Sequence, residues 1–186
     1  MVRRAVVLLK AHEGRGMDEP QMKADWVKAV LERHGAALTR YAASITGDED
    51  SARDVVQDTF VRLCAETPEH LDGHLAPWLF TVCRNRALDV QRKIHRLVPL
   101  ADDAFDTTPD DRPSPAAVLE QRETVGLALD LLETLTPQQR EVVRLKFQAG
   151  LSYEEIGSVT RLSATNVGFI LHTALKTLRQ RMQRSL

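Results

Sequence analysis

The amino-acid sequence predicts an all-α protein with two helical domains joined by a linker. Apolar residues recur at spacings of three and four, the period of helices packed on one face. No stretch alternates apolar and polar residues as a half-buried strand does. A segment rich in proline and aspartate divides the chain, because it cannot bury enough apolar surface to fold. We expect an N-terminal extension over residues 1–19, a first domain over 20–98, a linker over 99–113 and a second domain over 114–186.

Three helices are predicted in the first domain. The first runs from about Glu19 to Thr46, with an apolar stripe formed by Trp26, Val30, His34, Leu38, Tyr41 and Ile45. Asp48 or Asp50 is placed to cap the second helix, which is predicted over Ser51–Glu66. The third helix begins near Pro77, a residue favoured in the first turn, and runs to about Arg96.

The second domain is predicted to end in a helix-turn-helix. A helix over about Ser114–Thr134 is followed by two segments that fit a capping box, Thr136-Pro-Gln-Gln139 and Ser152-Tyr-Glu-Glu155. Ser163 caps a last helix that runs to about Arg184, and the tight link Thr160-Arg-Leu162 precedes it. A short helix, a tight turn and a longer basic helix are the elements of a helix-turn-helix.

The composition is that of a soluble globular protein. The 186 residues are 43% hydrophobic and 27% charged, close to the average for such proteins. Two cysteines are too few for a disulfide framework, and no apolar run approaches the ~18 residues of a membrane span. The run Ala5–Leu9 is shorter than the roughly 7–15 apolar residues of a signal peptide. We therefore expect a cytoplasmic protein without membrane contact, and Met17 is a second candidate translation start beside Met1.

Charge is distributed unevenly along the chain, although its sum is only −1. Residues 1–20 carry +1, residues 21–98 carry 0, residues 99–136 carry −7 and residues 137–186 carry +5. The neutral block is itself polarised, because its third helix holds five basic residues against one aspartate. Two basic regions around an acidic one are typical of a protein with two nucleic-acid contacts. Solvated helical faces with chance asymmetry explain the charge pattern equally well.

Four segments in a fixed order carry a family resemblance. They are Asp54-Val-Val-Gln-Asp-Thr-Phe-Val-Arg-Leu63, Pro77-Trp-Leu-Phe-Thr-Val-Cys-Arg-Asn-Arg-Ala-Leu-Asp89, Leu135-Thr-Pro-Gln-Gln-Arg-Glu-Val-Val143 and Leu151-Ser-Tyr-Glu-Glu-Ile156. Together they closely resemble the extracytoplasmic-function (ECF) group of bacterial RNA polymerase sigma factors over roughly residues 20–184. The resemblance implies sigma domain two at residues 20–98 and sigma domain four at residues 114–186. It implies a factor that binds core RNA polymerase, recognises −35 and −10 promoter elements and melts the −10 region, with no enzymatic activity and no cofactor of its own.

The resemblance implies that the second helix docks on the β′ clamp helices of core polymerase, whose β flap is a further expected contact. The matching residues are Asp54, Gln57, Asp58, Phe60, Arg62 and Leu63. Helical spacing agrees in part, because Asp54, Gln57, Asp58 and Val61 share one face of the helix. That face is distinct from the inward stripe of the same helix, which is formed by Val55, Thr59 and Leu63. An ordinary acidic surface is the alternative.

The third helix and the loop before it resemble the family's −10 reader. The residues assigned to promoter DNA there are His70, Asp72, Arg84, Asn85, Arg86, Asp89, Arg92, Lys93 and Arg96. Guanidinium and amide groups suit phosphates and bases. The loop at about Thr67–His74 corresponds to the family's pocket for a flipped-out base, and Glu69 is a further candidate there. Trp78 is either a core residue or a stacking platform, and Asp89 is either a DNA contact or a partner of Arg92 or Lys93.

The last helix is the expected reader of the −35 element in the major groove. Its candidate contacts are Arg161, Ser163, Thr165, Asn166, Phe169 and Lys176. Asparagine can read adenine, and a threonine methyl group suits thymine. The chain departs from the family pattern at Gly168, Ile170 and Thr173, where basic residues are usual. We therefore expect −35 binding that is weaker and less salt-dependent, with Phe169 either a base contact or part of a protein interface.

A second departure lies at the start of the second helix. The positions of the family's acidic tetrad correspond to Ser51-Ala52-Arg53-Asp54, so a hydroxyl and a cation replace two expected carboxylates. The carboxylates of Asp48, Glu49 and Asp50 are candidates to compensate for them. A sharper hypothesis makes Ser51 or Thr59 a phosphorylation site for a Ser/Thr kinase, because a phosphate adds about −1.5 to −2 of charge. An anti-sigma factor is the other candidate control partner.

The resemblance also implies a role for the linker. Family members thread this segment through the polymerase cleft, where five aspartates between Asp102 and Asp111 would imitate a nucleic-acid backbone. An inert tether is the alternative.

Cys64, His70, His74 and Cys83 are too loosely spaced for a structural zinc site, so no metal is expected. The serious rival is an autonomous helix-turn-helix transcriptional regulator, and the second is an enzyme with a regulatory C-terminal domain, for which no catalytic motif speaks.

Overall fold

The computed structural model describes residues 19–97 and 131–185, and these fall into two compact helical units. The predicted extension, the linker, Met17 and most of the helix predicted over Ser114–Thr134 lie outside the described residues. Within the described ranges every regular element is a helix, which confirms the all-α prediction. No helix in these ranges is long and apolar enough to cross a membrane.

The first unit contains three helices: α1 (Glu19–Thr46), α2 (Glu49–Leu63) and α3 (Leu75–Leu97). The bounds of α1 are those predicted. Helix α2 begins earlier than predicted, because Asp48 is the residue that caps it and accepts a hydrogen bond from the backbone N–H of Ser51 at 2.7 Å. That bond also lowers the pKa of the Asp48 carboxyl, since it favours the charged form.

The core of this unit lies where the three helices meet. Leu38 of α1, Leu63 of α2 and Leu79 of α3 are fully buried, and each such side chain contributes about 1.5–3 kcal/mol through burial. The rings of Tyr41 and Phe80 pack edge to face with their centroids 5.4 Å apart. The core therefore fixes the outward faces of α2 and α3.

The second unit contains α4 (Pro137–Phe147), α5 (Tyr153–Thr160) and α6 (Ala164–Ser185), preceded by helical residues 131–133. Both predicted capping boxes are confirmed: Thr136 with Gln139, and Ser152 with Glu155. Side chains from all three helices fill the core, including Val142, Leu145, Ile156, Val167 and Ala174.

The turn between α5 and α6 depends on two unusual backbone positions. Arg161 caps α5 in the left-handed conformation, with φ 61°, which is uncommon for a residue with a side chain. Gly157 lies directly under the turn, where an added Cβ would stand 2.5 Å from the carbonyl oxygen of Leu162. The backbone N–H of Leu162 donates to the Gly157 carbonyl at 3.0 Å. This close approach brings α6 across α5 in the predicted helix-turn-helix.

Candidate polymerase and promoter interfaces

The outward face of α2 carries most of the residues that were predicted to contact polymerase. Five of the six predicted residues reach the surface: Asp54, Gln57, Asp58, Phe60 and Arg62. Leu63 does not, because it is fully buried in the three-helix core, so its assignment as a direct contact is wrong. Val61 is 64% exposed on the face that it shares with Asp54 and Gln57. The face thus combines one apolar side chain with carboxylate and amide groups.

The carboxylates at the start of α2 have partners within the chain. The guanidinium of Arg53 donates to Glu49 at 2.7 Å and to Asp50 at 3.1 Å. Asp48 is occupied as the helix cap. The three carboxylates that were expected to compensate for the missing acidic tetrad are therefore already engaged within the chain, two of them by the substituted arginine itself.

The two predicted phosphorylation sites differ in accessibility. The Ser51 side chain is half-buried in the first turn of α2. Thr59 is completely buried, and its hydroxyl donates to the carbonyl of Val55 at 2.8 Å. Thr59 is therefore not a site that a kinase can reach in the folded protein, and that prediction is wrong because the hydroxyl is part of the core.

Basic side chains lie along the outer surface of α3. Asn85, Asp89, Arg92, Lys93 and Arg96 are exposed, and Arg84 and Arg86 are half-buried. Arg92 donates to the carboxylate of Asp89 at 2.6 Å, one of the two interpretations that the sequence left open for Asp89. Successive side chains also bond the backbone: Arg92 Nε donates to the Leu88 carbonyl and Arg96 Nε to the Arg92 carbonyl.

One ion pair joins the two predicted surfaces of this unit. Arg86 Nε of α3 donates to Asp58 Oδ2 of α2 at 2.6 Å, and both side chains are almost half exposed. Sequence reasoning had assigned Arg86 to promoter DNA and Asp58 to polymerase. The structure brings the two residues together at the border between the surfaces.

The loop between α2 and α3 is a series of turns anchored by one residue. Leu71 is only 3% exposed, whereas Glu69, His70 and Asp72 beside it are exposed. His70 Nδ1 lies 3.8 Å from a carboxylate oxygen of Glu66. Buried Leu71 holds the loop while its polar side chains face outward. Trp78, at the start of α3, is half-buried.

The first turns of α6 present the predicted −35 contacts. Ser163 accepts a hydrogen bond from the backbone N–H of Asn166 at 3.2 Å and thereby caps the helix. The remaining predicted residues are exposed: Arg161, Thr165, Asn166, Phe169 and Lys176. Spacing of three and four places Thr165, Phe169 and Lys176 along one side of α6.

The three positions where family members usually carry cations face other parts of this unit. An added Cβ on Gly168 would be 3.5 Å from the ring of Tyr153. Ile170 is buried in the core. Thr173 is half-buried and accepts a hydrogen bond from Gln139 Nε2 at 3.4 Å. In this chain the packing of α6 uses all three positions.

Sequence reasoning missed two features of this surface. His172 is exposed three residues after Phe169 and four before Lys176, so the helical period was a signal that could have found it. Tyr153 of α5 is also exposed, and the ammonium of Lys146 lies 5.4 Å from its ring centroid. No local sequence pattern indicates the contact between Lys146 and Tyr153, because the two residues lie on different helices.

Comparison with known proteins identifies both units. The family Sigma-70 region 2 matches residues 30–97, and the family Sigma-70, region 4 matches residues 126–185. Two matched regions in one chain leave the autonomous regulator unsupported, because that hypothesis accounts only for the second unit.

Individual relatives cover most of the chain. The ECF RNA polymerase sigma factor SigL of Mycobacterium tuberculosis is 31% identical over 165 residues, which span 87% of this chain and 91% of the relative. SigM of Bacillus subtilis, another ECF sigma factor, is 28% identical over 75% of this chain and 85% of its own length.

A solved structure of CnrH in complex with the cytosolic domain of CnrY is similar, with a TM-score of 0.57 and 27% identity over 86% of this chain and 89% of that one. The sigma factor RpoE from Bartonella quintana, solved in complex with the anti-sigma factor NepR, shares the fold at a TM-score of 0.59 and 24% identity, over 84% of this chain and 96% of that one. The chain therefore belongs to the ECF group of sigma-70 family RNA polymerase sigma factors, the alternative sigma factors that initiate transcription.

Proposed function

We propose that the two units divide the work of initiation. The first unit docks on polymerase and melts the −10 region, and the second unit recognises the −35 element. Residues 20–98 act as sigma domain two, residues 99–113 link the units, and residues 114–186 act as sigma domain four. The observation that carries the docking and melting part of this proposal is the pair of adjacent, differently charged faces on α2 and α3, which meet at the ion pair of Asp58 and Arg86.

The α2 face is proposed to dock on the β′ clamp helices. Val61 supplies exposed apolar surface, and Asp54 and Gln57 beside it supply acceptors and donors for a basic partner. An apolar centre with a polar rim is the usual organisation of a protein interface. Arg53 offsets one of the two negative charges of Glu49 and Asp50, and Asp54 adds a further negative charge to this face.

The α3 face and the preceding loop are proposed to hold the melted −10 element. Arginine and lysine side chains on α3 neutralise phosphates. Flipping a base out of the duplex costs a few kcal/mol. Glu69, His70 and Asp72 are exposed, and their polar groups are proposed to bind such a base. Arg92 is paired with Asp89, and Lys93 and Arg96 are further exposed cations of the same helix.

Helix α6 is proposed to enter the major groove at the −35 element. The cap at Ser163 directs the first turn, and Thr165, Asn166 and Phe169 follow on its exposed surface. Arg161 at the turn and Lys176 two turns beyond Phe169 are the proposed phosphate contacts. A β-flap contact is proposed for the same unit, and the linker is proposed to enter the polymerase cleft.

A protein partner is proposed to regulate this chain in the cytoplasm. CnrH, at 27% identity, is in complex with the cytosolic domain of CnrY. By analogy, an anti-sigma factor that covers the α2 and α3 faces would keep this chain from polymerase.

Run-off transcription with purified bacterial core polymerase and a library of promoter fragments tests the proposed function. We expect promoter-specific transcripts only when the protein is present. Val61→Asp should reduce these transcripts at least tenfold and weaken co-elution with core enzyme, because a charge replaces the exposed apolar centre. Leu31→Asp is the matched control, since Leu31 of α1 is also an exposed apolar residue, and it should retain activity. Binding of the free chain to a palindromic DNA site, with no polymerase-dependent transcript, would overturn the proposal.

A further inference from the structure

The exposed side of α6 carries a large apolar side chain in the first two turns of the helix. Phe169 is 67% exposed, the highest value among the large hydrophobic side chains that the structure describes. Thr165 lies one turn before it and is also exposed. Apolar surface is thus presented on the helix that is proposed to enter the major groove.

Packing of the second unit does not account for Phe169. Its apolar neighbours Val167, Ile170 and Leu171 are buried in the core of this unit. Gly168 supplies the space against the Tyr153 ring. Phe169 projects from the opposite side of the helix, where it remains in water unless a partner covers it.

The chemistry of the side chain limits what it can recognise in DNA. A phenyl ring has no hydrogen-bond donor and therefore cannot bind a phosphate or the polar edge of a base. The apolar group that a base pair offers in the major groove is the 5-methyl group of thymine, which phenylalanine and threonine methyl groups contact favourably. Arg161 before this surface and Lys176 after it are the cations available to hold the backbone on either side.

We propose that Phe169 and Thr165 read the 5-methyl groups of thymines in the −35 element, so that this sigma factor selects a −35 sequence by apolar contact. This inference rests on the proposed function, because it requires α6 to lie in the major groove. It specifies the base and the atom that are recognised, and it predicts binding with a small ionic contribution from the first two turns of α6.

Substituting deoxyuridine for thymine tests the inference directly, since it removes the methyl group alone. The test uses holoenzyme on a promoter recovered from the run-off library, with thymines of the −35 element replaced on one strand at a time. We expect one or two positions at which the change weakens binding about fourfold, the factor corresponding to about 0.8 kcal/mol for one buried carbon. In holoenzyme with Phe169→Ala, the ratio of thymine to deoxyuridine affinities should fall to about one at one of those positions, the thymine that Phe169 reads.

Phe147→Ala is the matched control, because Phe147 is 62% exposed on α4 of the same unit, and it should leave that ratio unchanged. Thermal unfolding of Phe169→Ala should match the parent chain, since the side chain is not part of the core. Binding that is insensitive to deoxyuridine at every −35 position overturns the inference and leaves the proposed function standing. An equal loss for Phe169→Ala on both templates also overturns it and assigns Phe169 to a protein interface. Absence of promoter-dependent transcription in the library experiment is the separate result that removes the proposed function.

Discussion

Arg86 of α3 donates a hydrogen bond to Asp58 of α2 at 2.6 Å, and this ion pair is the border between two surfaces with different proposed partners. The side chains are 41% and 47% exposed, so solvent screens the pair and its contribution to stability is at most about 1 kcal/mol. An interaction this weak can be exchanged for contacts with polymerase or DNA at little cost. The pair therefore positions two functional groups more than it stabilises the fold.

Exchanging the charges of Asp58 and Arg86 distinguishes a structural role of their ion pair from a role of each side chain in binding polymerase or DNA. Asp58→Arg combined with Arg86→Asp retains an ion pair between α2 and α3 but presents the wrong charge to each proposed partner. We expect the double variant to unfold within a few degrees of the parent, because exposed pairs contribute only about 0.2–1 kcal/mol. Promoter-specific run-off transcription should fall at least tenfold. Full transcription by the exchanged variant would show that the pair is only structural.

Arg53 is expected to limit the affinity of this sigma factor for polymerase. It holds Glu49 and Asp50 in ion pairs, so Arg53→Gln should release two carboxylates at the start of α2. If the docking surface on polymerase is basic, affinity for core enzyme should rise by about threefold to tenfold, with a steeper dependence on salt. Titration of labelled protein with core polymerase at two salt concentrations measures both quantities. Arg33→Gln, a change of the same kind at an exposed position of α1, should have no such effect.

Ser51 and Thr59 are expected to respond differently to a phosphate-like charge. Ser51→Asp adds a carboxylate to the first turn of α2, where the helix dipole favours negative charge, so the fold should be retained. Affinity for core polymerase should increase in the direction expected for Arg53→Gln. Thr59→Asp places a charge at a fully buried position and should unfold the first unit. Circular dichroism and core-binding measurements on the two variants distinguish these outcomes, and a stable Thr59→Asp variant would contradict the burial of that side chain.

Two glycines of the helix-turn-helix are expected to behave oppositely when replaced by alanine. Gly157→Ala forces a methyl group to 2.5 Å from the Leu162 carbonyl oxygen, so the turn must move and the second unit should lose about 1–3 kcal/mol of stability. Gly168→Ala meets only the Tyr153 ring at 3.5 Å, an ordinary contact, and should gain up to about 1 kcal/mol from helix propensity. Thermal unfolding of both variants provides the comparison. Equal effects would show that the turn adapts without cost.

The sequence predicted local structure better than it predicted which side chains are exposed for contact with a partner. Helical period and capping residues located α1 and both capping boxes, because these signals act between residues three or four positions apart. The period also placed Leu63 on the inward stripe, but the family resemblance assigned it to polymerase, and burial shows that the period was the better guide. The Asp58–Arg86 pair joins residues 28 positions apart, so it depends on how α2 packs against α3, which no local pattern specifies.

The two cysteines are expected to differ sharply in reactivity. Cys64 is exposed just after α2, whereas Cys83 is buried with its Sγ 3.9 Å from the Leu38 carbonyl oxygen. Burial raises the pKa of the Cys83 thiol to about 12, because the thiolate is disfavoured in an apolar environment. At pH 8 a thiol reagent should therefore modify one cysteine in the native protein and two after denaturation.

The raised pKa of the Cys83 thiol makes the free energy of unfolding depend on pH. The folded-state pKa of Cys83 lies above the unfolded-state value, so the neutral thiol favours the native state fully at pH below about 8.5. That contribution is lost as the pH rises from there toward 12, since the unfolded chain gains a thiolate that the core excludes. Cys83→Ala should flatten the decline in unfolding free energy over this range, whereas Cys64→Ala should leave it unchanged. A Cys83 thiol that reacts in native protein as fast as Cys64 would contradict its place in the core.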